Sequence, residues 1–285
     1  MERPRTVTLG DIEITPVWDG TLDANMDGIR GLDPAAASRL IAAEQQATGV
    51  DPLVLPVRAF LVRSGGHLTL IDSGSGDTKG PRMGHLPASL AALGVAPADI
   101  GAIVMTHLHL DHSGGLVDAS GAALFPNAQL VLHEAEAAYF LDTPTAALDA
   151  RSQRHAELQR ALVAPYRERL RRVRDGEGTG GLTALLAPGH TPGHTAWLAA
   201  SGGRRLMVLG DVVHLGAVQL PRPDTAMIYD VHPIMAAATR HRILELAAHQ
   251  RMLVAGAHLA APGLGTIVRT GTGYRFEPTV ISAGA

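Results

Sequence analysis

Short apolar runs rich in β-branched residues recur along the chain, and most of them end at Gly, Pro, Asp or His. Their length and composition predict β-strands. The runs are VTLGDIEITPVWDG, AFLVRSGGHLTLIDSG, DIGAIVMTH, AQLVLHE, LTALLAPGH, RRLMVLGD and RMLVAGAH, and the last stretch, GTIVRTGTGYRFEPTVI, has the same character.

Alanine-rich or amphipathic segments lie between these runs and predict helices. They cover residues 34–47, 86–93, 134–141, 146–174 and 233–250. Strands in hairpin-like succession with interspersed helices predict an α/β (α+β) fold of mixed sheets covered by helices. The polar stretch 151–174 is interpreted as a solvated helix face, and a lid over a cleft is the alternative.

The length of 285 residues and the 46% hydrophobic content fit a folded chain with a sizeable core. We expect one domain over residues 1–285, with an N-terminal arm at about 19–56 and a helical insert at about 134–175. The net charge of −3, spread along the chain, provides no basic stripe for a phosphate backbone. Nucleic acid is therefore not an expected partner.

The N-terminal stretch MERPRTVTLGDIEITPVWDG has no apolar core behind its charges, and no apolar run approaches the roughly 18 residues of a membrane span. We expect a soluble cytoplasmic protein without a membrane partner. If a signal peptide has been removed, a secreted or periplasmic location is expected instead. The oligomeric state stays open, and a homodimer is one of the options.

The stretch MTHLHLDHSGG places His107, His109, Asp111 and His112 directly after a predicted strand. His107 and His109 project to the same side of an extended segment, and the other two follow as the chain turns. The chain has 0 cysteines, so any metal must be held by imidazole and carboxylate groups. One loop could therefore serve two adjacent ions.

Three further ligand-type residues, His190, Asp211 and His258, end other apolar runs. Imidazoles with carboxylates, one of which can bridge, suit two divalent ions. The sequence thus predicts a two-metal site. Zinc is the expected metal, with manganese, cobalt or iron as alternatives.

This set of residues, in this order along the chain, resembles the metal signature of the metallo-β-lactamase-fold hydrolases. The resemblance extends from about residue 60 to the C-terminus and implies an αββα sandwich with two ions at one sheet edge. It implies one ion on His107, His109 and His190, the other on Asp111, His112 and His258, and Asp211 between them.

Two further residues are candidates for the surroundings of the ions. Asp72 in LIDSG matches the carboxylate that orients a ligand imidazole in that superfamily, and it equally fits a turn-capping role after a strand. His194 in PGHTPGH is interpreted as structural, because it would hold the turn near the metals.

Within the superfamily, the stretches GDVVHLGAVQLPRPDTAMIYDVHP and GAHLAAPGLGTIVRTGTGYRFEP resemble the methyl parathion hydrolase and lactonase group. The absence of cysteine excludes β-lactamases with a cysteine ligand, and the strand-like tail disfavours glutathione-binding thioesterases. The lactonases carry a tyrosine three residues after the bridging aspartate. His214 occupies that position here.

The expected activity is hydrolysis of apolar lactones or esters by a metal-bridging hydroxide, with neutral organophosphate triesters as a second substrate class. Asp111 and His214 are the candidate catalytic residues, although His214 could simply line the pocket. Met227 and Tyr229 are candidate pocket walls or ordinary core. The alternatives are an iron-dependent persulfide dioxygenase, a thioesterase on the same fold, and a metal-stabilised domain without activity.

Overall fold

The computed structural model describes residues 5–148 and 150–279. Its strands are β1 Val7–Leu9, β2 Ile12–Asp23, β3 Ile29–Arg30, β4 Val54–Ser64, β5 His67–Ile71, β6 Ala102–Val104, β7 Gln129–His133, β8 Leu170–Val173, β9 Gly178–Thr179, β10 Leu182–Leu186, β11 Thr195–Ser201, β12 Arg204–Val208, β13 Ala226–Met227, β14 Leu253–Ala255, β15 Leu264–Arg269 and β16 Tyr274–Pro278. Its α-helices are α1 Pro34–Thr48, α2 Leu86–Ala92, α3 Leu110–Ser113, α4 Glu134–Ala137, α5 Ala150–Val163, α6 Gly216–Gln219 and α7 Pro233–His249.

Shorter helical segments connect these elements. The 3₁₀ turns cover Met26–Gly28, Gly76–Lys79, Pro97–Asp99, Gly114–Leu116, Thr145–Ala147, Ala164–Arg169 and Gly210–Val212, and a π-helical turn covers Ala138–Asp142. Three of them, Met26–Gly28, Gly76–Lys79 and Gly210–Val212, come within a few residues of the ends of β2, β5 and β12.

Fourteen strands form two seven-stranded sheets, in the orders β1-β2-β4-β5-β6-β7-β8 and β16-β15-β14-β12-β11-β10-β9. Both are mixed, since β5, β6, β7 and β8 run parallel, as do β12 and β14, while the hairpins are antiparallel. The remaining two strands, β3 and β13, form a small separate sheet.

Side chains alternate between the two faces of each strand, as period-two geometry requires. Val104 and Val131 of the first sheet pack in one buried cluster with Trp197 and Ala255 of the second. This cluster is the core between the sheets. The residues between them in sequence point outward, where separate clusters lie beneath helices.

Helices cover both outer faces. Leu90 of α2 and Ala156 of α5 pack against the first sheet, and Ile243 and Leu244 of α7 pack against the second. The layers therefore follow the order helix, sheet, sheet, helix, and the expected αββα sandwich is confirmed. Within the described residues, no helix combines the length and apolar character needed to cross a membrane.

One local prediction was wrong, and one strand, β11, was not predicted. The predicted helix over 146–174 ends at Val163, and the chain then forms a 3₁₀ turn and β8. Pro165 explains the end of the helix, because its ring disfavours a helical residue before it and removes a donor. The strand β11 was not predicted, although Trp197 on it is fully buried and donates to the carbonyl of Met105.

The segment after β2 wraps over one end of the sandwich. Ile41 of α1 and Leu55 of β4 pack with Leu215, Val218 and Met227 in a small buried cluster. The chain around α6 and β13 is thereby held in place, next to the sheet edge where the predicted metal ligands lie.

Candidate metal centre

The predicted ligands come from the ends of four strands in the two sheets. His107, His109, Asp111 and His112 follow β6 of the first sheet, and the last two lie on α3. His190 follows β10, Asp211 follows β12 and His258 follows β14, all in the second sheet. One edge of the sandwich therefore brings all seven side chains together.

Glycines allow the loops to turn closely at this edge. A Cβ on Gly115 would lie 2.0 Å from the carbonyl oxygen of Ser73, so only glycine fits between the two loops. Gly210 has a φ of 54°, and a Cβ there would lie 2.6 Å from Nε2 of His194. The HSGG and LGD sequences thus fix the positions of the neighbouring ligands.

One group of ligand atoms comes from His107, His109, His190 and Asp211, all within 4.8 Å of one another. Nδ1 of His109 lies 2.9 Å from Nε2 of His190. Oδ2 of Asp211 lies 3.2 Å from Nε2 of His190 and 3.8 Å from Nε2 of His107. These four side chains could hold one ion.

A second group comes from Asp111, His112 and His258, again within 4.8 Å. Oδ2 of Asp111 lies 3.6 Å from Nε2 of His112 and 3.4 Å from Nε2 of His258. The other carboxylate oxygen of Asp211, Oδ1, lies 3.1 Å and 3.2 Å from the same two nitrogens. Asp211 therefore directs one oxygen at each group.

Several of these atoms are buried without a hydrogen-bond partner among the described residues: Nε2 of His107, His112 and His258, and Oδ1 of Asp211. Burying unpaired polar atoms is unfavourable, so such a concentration indicates that something else satisfies them. Imidazole and carboxylate lone pairs directed at common points are the donors that divalent metals use. The residues present fit two metal ions.

The outer nitrogens of the ligand imidazoles are held by other parts of the chain. Nδ1 of His112 lies 2.8 Å from Oδ2 of Asp72, and Nδ1 of His190 lies 2.8 Å from Oδ1 of Asp230. Nδ1 of His258 donates to the carbonyl of Pro56 at 2.8 Å. Such contacts fix which nitrogen faces the metal.

Asp72 combines the two interpretations made from its sequence context. Besides contacting His112, its carboxylate accepts the backbone N–H of Thr106 at 2.7 Å and its hydroxyl at 2.8 Å. Its own backbone has a φ of 61°, a strained conformation for a residue other than glycine. This strained residue directly follows β5, and its carboxylate is hydrogen bonded to Thr106, the residue before His107.

The charges of the cluster shift one another's pKa. Burial raises the pKa of the Asp211 carboxyl, but the facing His112 and His258 outweigh it and hold that pKa well below its usual range. Burial works against protonated His190 and His258, yet the charges of the facing carboxylates, together with the hydrogen bond of His190 to Asp230, raise the pKa of each to about 9. The carboxylates thus attract positive charge into this buried cluster.

Burial lowers the pKa of His214 to about 3, and His258 adds to the shift. Its ring lies 4.6 Å from the His258 ring and 5.0 Å from the Tyr229 ring, between centroids. Its Nδ1 is buried and has no hydrogen-bond partner in the described part of the chain. His214 therefore lies beside the cluster with a free polar atom.

A cavity of about 220 Å³ opens beside His109. It is lined by His109, Tyr139, Phe140, Ser152, His155, Ile228, Tyr229, Asp230 and Val231. Tyr229 is thus in the wall, whereas Met227 is 1% exposed and packs in the cluster around Leu215. The helix α5 contributes Ser152 and His155 to the wall while it exposes Arg154 and Glu157.

Sequence reasoning missed Asp230, Thr106 and His155. Asp230 is the last residue of AMIYD, where it ends an apolar run as His190, Asp211 and His258 do. His155 had no local signal, because it lies on a polar helix and reaches the site only through tertiary packing.

Comparison with known proteins agrees with this geometry. Residues 52–258 match the family model described as the metallo-beta-lactamase superfamily. The N-acyl homoserine lactonase AttM of Rhizobium radiobacter is 27% identical over 206 residues, which cover 66% of this chain and 71% of that protein. AttM of Azorhizobium caulinodans is 32% identical over 119 residues, and the match spans 39% of this chain and 40% of that protein.

Solved structures extend the match to nearly the whole chain. Hydrolase AbOPH of the beta lactamase superfamily aligns with a TM-score of 0.90 and 30% identity over 98% of both chains. AidC, a dizinc quorum-quenching lactonase in complex with a product, aligns with a TM-score of 0.88 and 25% identity, also over 98% of both. The family match over most of the sequence, with ligand loops at the edge of an αββα sandwich, makes this chain a member of the metallo-β-lactamase superfamily.

Proposed function

We propose that this protein is a dinuclear, metal-dependent hydrolase of uncharged, largely apolar lactones or esters. The observation that carries the proposal is the orientation of Asp211. One of its carboxylate oxygens faces His107 and His190, and the other faces His112 and His258. A carboxylate in this position can bridge two ions.

Two divalent ions bound there would supply Lewis acidity and ionise water at neutral pH for attack on the substrate carbonyl. Zinc suits a set of imidazoles and carboxylates, and manganese, cobalt or iron could be held by the same residues. The dizinc lactonase AidC, similar to this chain over 98% of its length, supports zinc.

The chain's own residues define the site for the substrate. Asp211 and Asp111 contribute negative charge, while Asp72 and Asp230 hold imidazoles with Nε2 directed inward. We assign His214 the role of donating a hydrogen bond to the leaving oxygen, since it lies next to His258 with an unpaired buried nitrogen.

The cavity supports an uncharged substrate. Tyr139, Phe140, Ile228 and Val231 contribute apolar surface to a wall that also carries polar groups from His109, Ser152 and His155, and among its described lining residues there is no Lys or Arg. Its one carboxylate, Asp230, is already engaged by His190 and by the N–H of Met227. Relatives named N-acyl homoserine lactonases support a lactone as the first choice.

A neutral phosphotriester is the second candidate. The same lining, without a cationic side chain to bind a phosphate anion, favours a triester over a charged phosphate ester. Arylester hydrolysis is proposed on the same basis.

The test uses purified protein stripped of metal and reloaded separately with zinc, manganese, cobalt or iron. We expect hydrolysis of a lactone and an aryl ester to return with metal, with weaker activity on a phosphotriester, a thioester and a β-lactam. Loss of both activities in Asp211→Ala, but not in the exposed-residue control Asp224→Ala, would link them to the centre.

Hydrolysis of neither lactone nor ester with any metal would contradict the proposal. Oxygen consumption with a persulfide by the iron-loaded protein would then favour the persulfide dioxygenase instead. Strong thioester turnover without lactone turnover would favour the thioesterase.

A further inference from the structure

We propose that Glu136 is a positioning residue for one of the two ions, the one assigned to His107, His109 and His190. This inference rests on the proposed dinuclear centre. It concerns a carboxylate that makes no hydrogen bond to any of the seven ligand side chains and lies on α4, outside the metal-binding loops.

Glu136 is 1% exposed, and its carboxylate is hydrogen bonded on both oxygens. Oε1 accepts the backbone N–H of Leu108 at 2.8 Å. Oε2 accepts the hydroxyl of Thr191 at 2.7 Å and the backbone N–H of Gly193 at 3.1 Å. All three donors are neutral groups of the backbone or a hydroxyl.

These donors belong to the two loops that carry the ligands of one ion. Leu108 lies between His107 and His109, and Thr191 directly follows His190. One side chain thus connects the end of β6 in the first sheet to the end of β10 in the second. The distance between His109 and His190 depends on this connection.

The His190 loop packs closely against the backbone of Glu136. A Cβ on Gly193 would lie 1.9 Å from the backbone nitrogen of Glu136, so the His190 loop lies directly on α4. Burying a carboxylate is unfavourable, and the three hydrogen bonds offset only part of the free energy lost on desolvation. Its benefit must lie in fixing the two loops relative to each other.

The ligands of the second ion are held by other contacts. Asp72 orients His112, and the carbonyl of Pro56 orients His258. Neither contact involves Glu136. Loss of the Glu136 carboxylate should therefore loosen one ion more than the other.

The experiment measures metal retention by the zinc-loaded protein against increasing chelator, with the number of bound ions counted at each step. We expect the wild type to hold two ions. Glu136→Gln replaces one acceptor oxygen with an NH₂ group that faces N–H or O–H donors, so one ion should bind 10 to 100-fold more weakly, the typical range for residues that support a ligand. Glu134→Gln, on the same helix but partly exposed, should retain both ions.

Two backgrounds identify the affected ion. In His258→Ala, which removes a ligand of the second group, adding Glu136→Gln should still weaken the binding of the remaining ion 10 to 100-fold. In His190→Ala, which removes a ligand of the first group, adding Glu136→Gln should cause little further loss of metal affinity. Equal effects in the two backgrounds, or unchanged retention of both ions, would overturn the proposal.

If Glu136→Gln does not fold, Thr191→Val removes a single donor and should weaken the same ion to a smaller extent; no change in Thr191→Val would then count against the proposal. A wild type that binds two ions but hydrolyses no lactone or ester would reject the proposed function and leave the role of Glu136 intact.

Discussion

The buried imidazole of His194 accepts the backbone N–H of Asp211 at 2.9 Å, and its other nitrogen donates to the carbonyl of Ala187 at 3.1 Å. Burial lowers the pKa of His194 to about 3, so the ring is neutral and can do both at once. His194 therefore fixes the backbone from which the Asp211 carboxylate projects, without touching the carboxylate.

Replacement of this ring should destabilise the protein. In His194→Leu the N–H of Asp211 and the carbonyl of Ala187 lose their partner in a buried site, and we expect a loss of about 1–3 kcal/mol in the free energy of unfolding. Urea denaturation of the metal-free protein measures it. The exposed control His249→Leu should change stability by less than about 0.5 kcal/mol, and an equal loss in both variants would refute the role of His194.

Asp211→Ala should abolish hydrolysis while the protein stays folded, because the carboxylate that faces both groups is lost. We expect no more than one ion per chain by elemental analysis, and a circular dichroism spectrum like that of the wild type. His109→Ala, which removes a ligand of one ion, should also abolish turnover. Near-normal turnover of Asp211→Ala with a single ion would rule out the dinuclear scheme.

His214→Leu should change substrate choice more than metal content. Hydrolysis of an unactivated lactone should slow by roughly 10²-fold, the typical effect of losing one hydrogen bond to a developing oxyanion, because the neutral imidazole no longer donates to the leaving oxygen. A nitrophenyl phosphotriester, whose leaving group needs no proton, should be spared. The measurement is kcat/KM on both substrates, with metal content determined in both proteins. Equal losses accompanied by metal loss would show that His214 only maintains the site.

Asp72 and Asp230 should mainly support different ions, because Asp72 contacts His112 directly and reaches His107 only through Thr106, whereas Asp230 contacts His190. In Asp72→Asn and in Asp230→Asn we expect one ion to bind 10 to 100-fold more weakly. Combining the two substitutions should weaken both ions. Chelator competition with zinc measures this, and Asp224→Asn, an exposed carboxylate on the same segment as Asp230, is the control. If both single variants released the same ion, the assignment of ligands to two groups would be wrong.

The clustering of these seven side chains could be predicted because four of them follow one apolar run and His190, Asp211 and His258 each end another, and a strand end is visible in the sequence without knowledge of the fold. The αββα architecture was likewise accessible, through the alternation of strands with amphipathic segments and through the resemblance. The sequence places Asp230 at the end of an apolar run but does not show which ligand it supports, and it gives no signal for Glu136. Their partners in the ligand loops are 28 or more residues away in the chain, and only tertiary packing brings them together.

The stretch after Val163 shows a second limit. Its charged residues suggested a continuous solvated helix, but Tyr166 is fully buried and donates to the carbonyl of Leu116, and Leu170–Val173 extends the first sheet. An edge strand with only one buried side chain carries little hydrophobic signal. Tertiary pairing decided its structure, and local composition did not.

The candidate ligands come from both sheets, so bound metal would connect the two layers of the sandwich. His109 follows a strand of the first sheet and His190 follows a strand of the second, so an ion held by both would cross-link the two layers. Metal at a hundred times its dissociation constant would add about 2.7 kcal/mol per site to the native state. The layers could then separate only after releasing metal. A cell short of that metal would contain a more easily unfolded and proteolysed protein, and the amount of this protein would fall together with its activity.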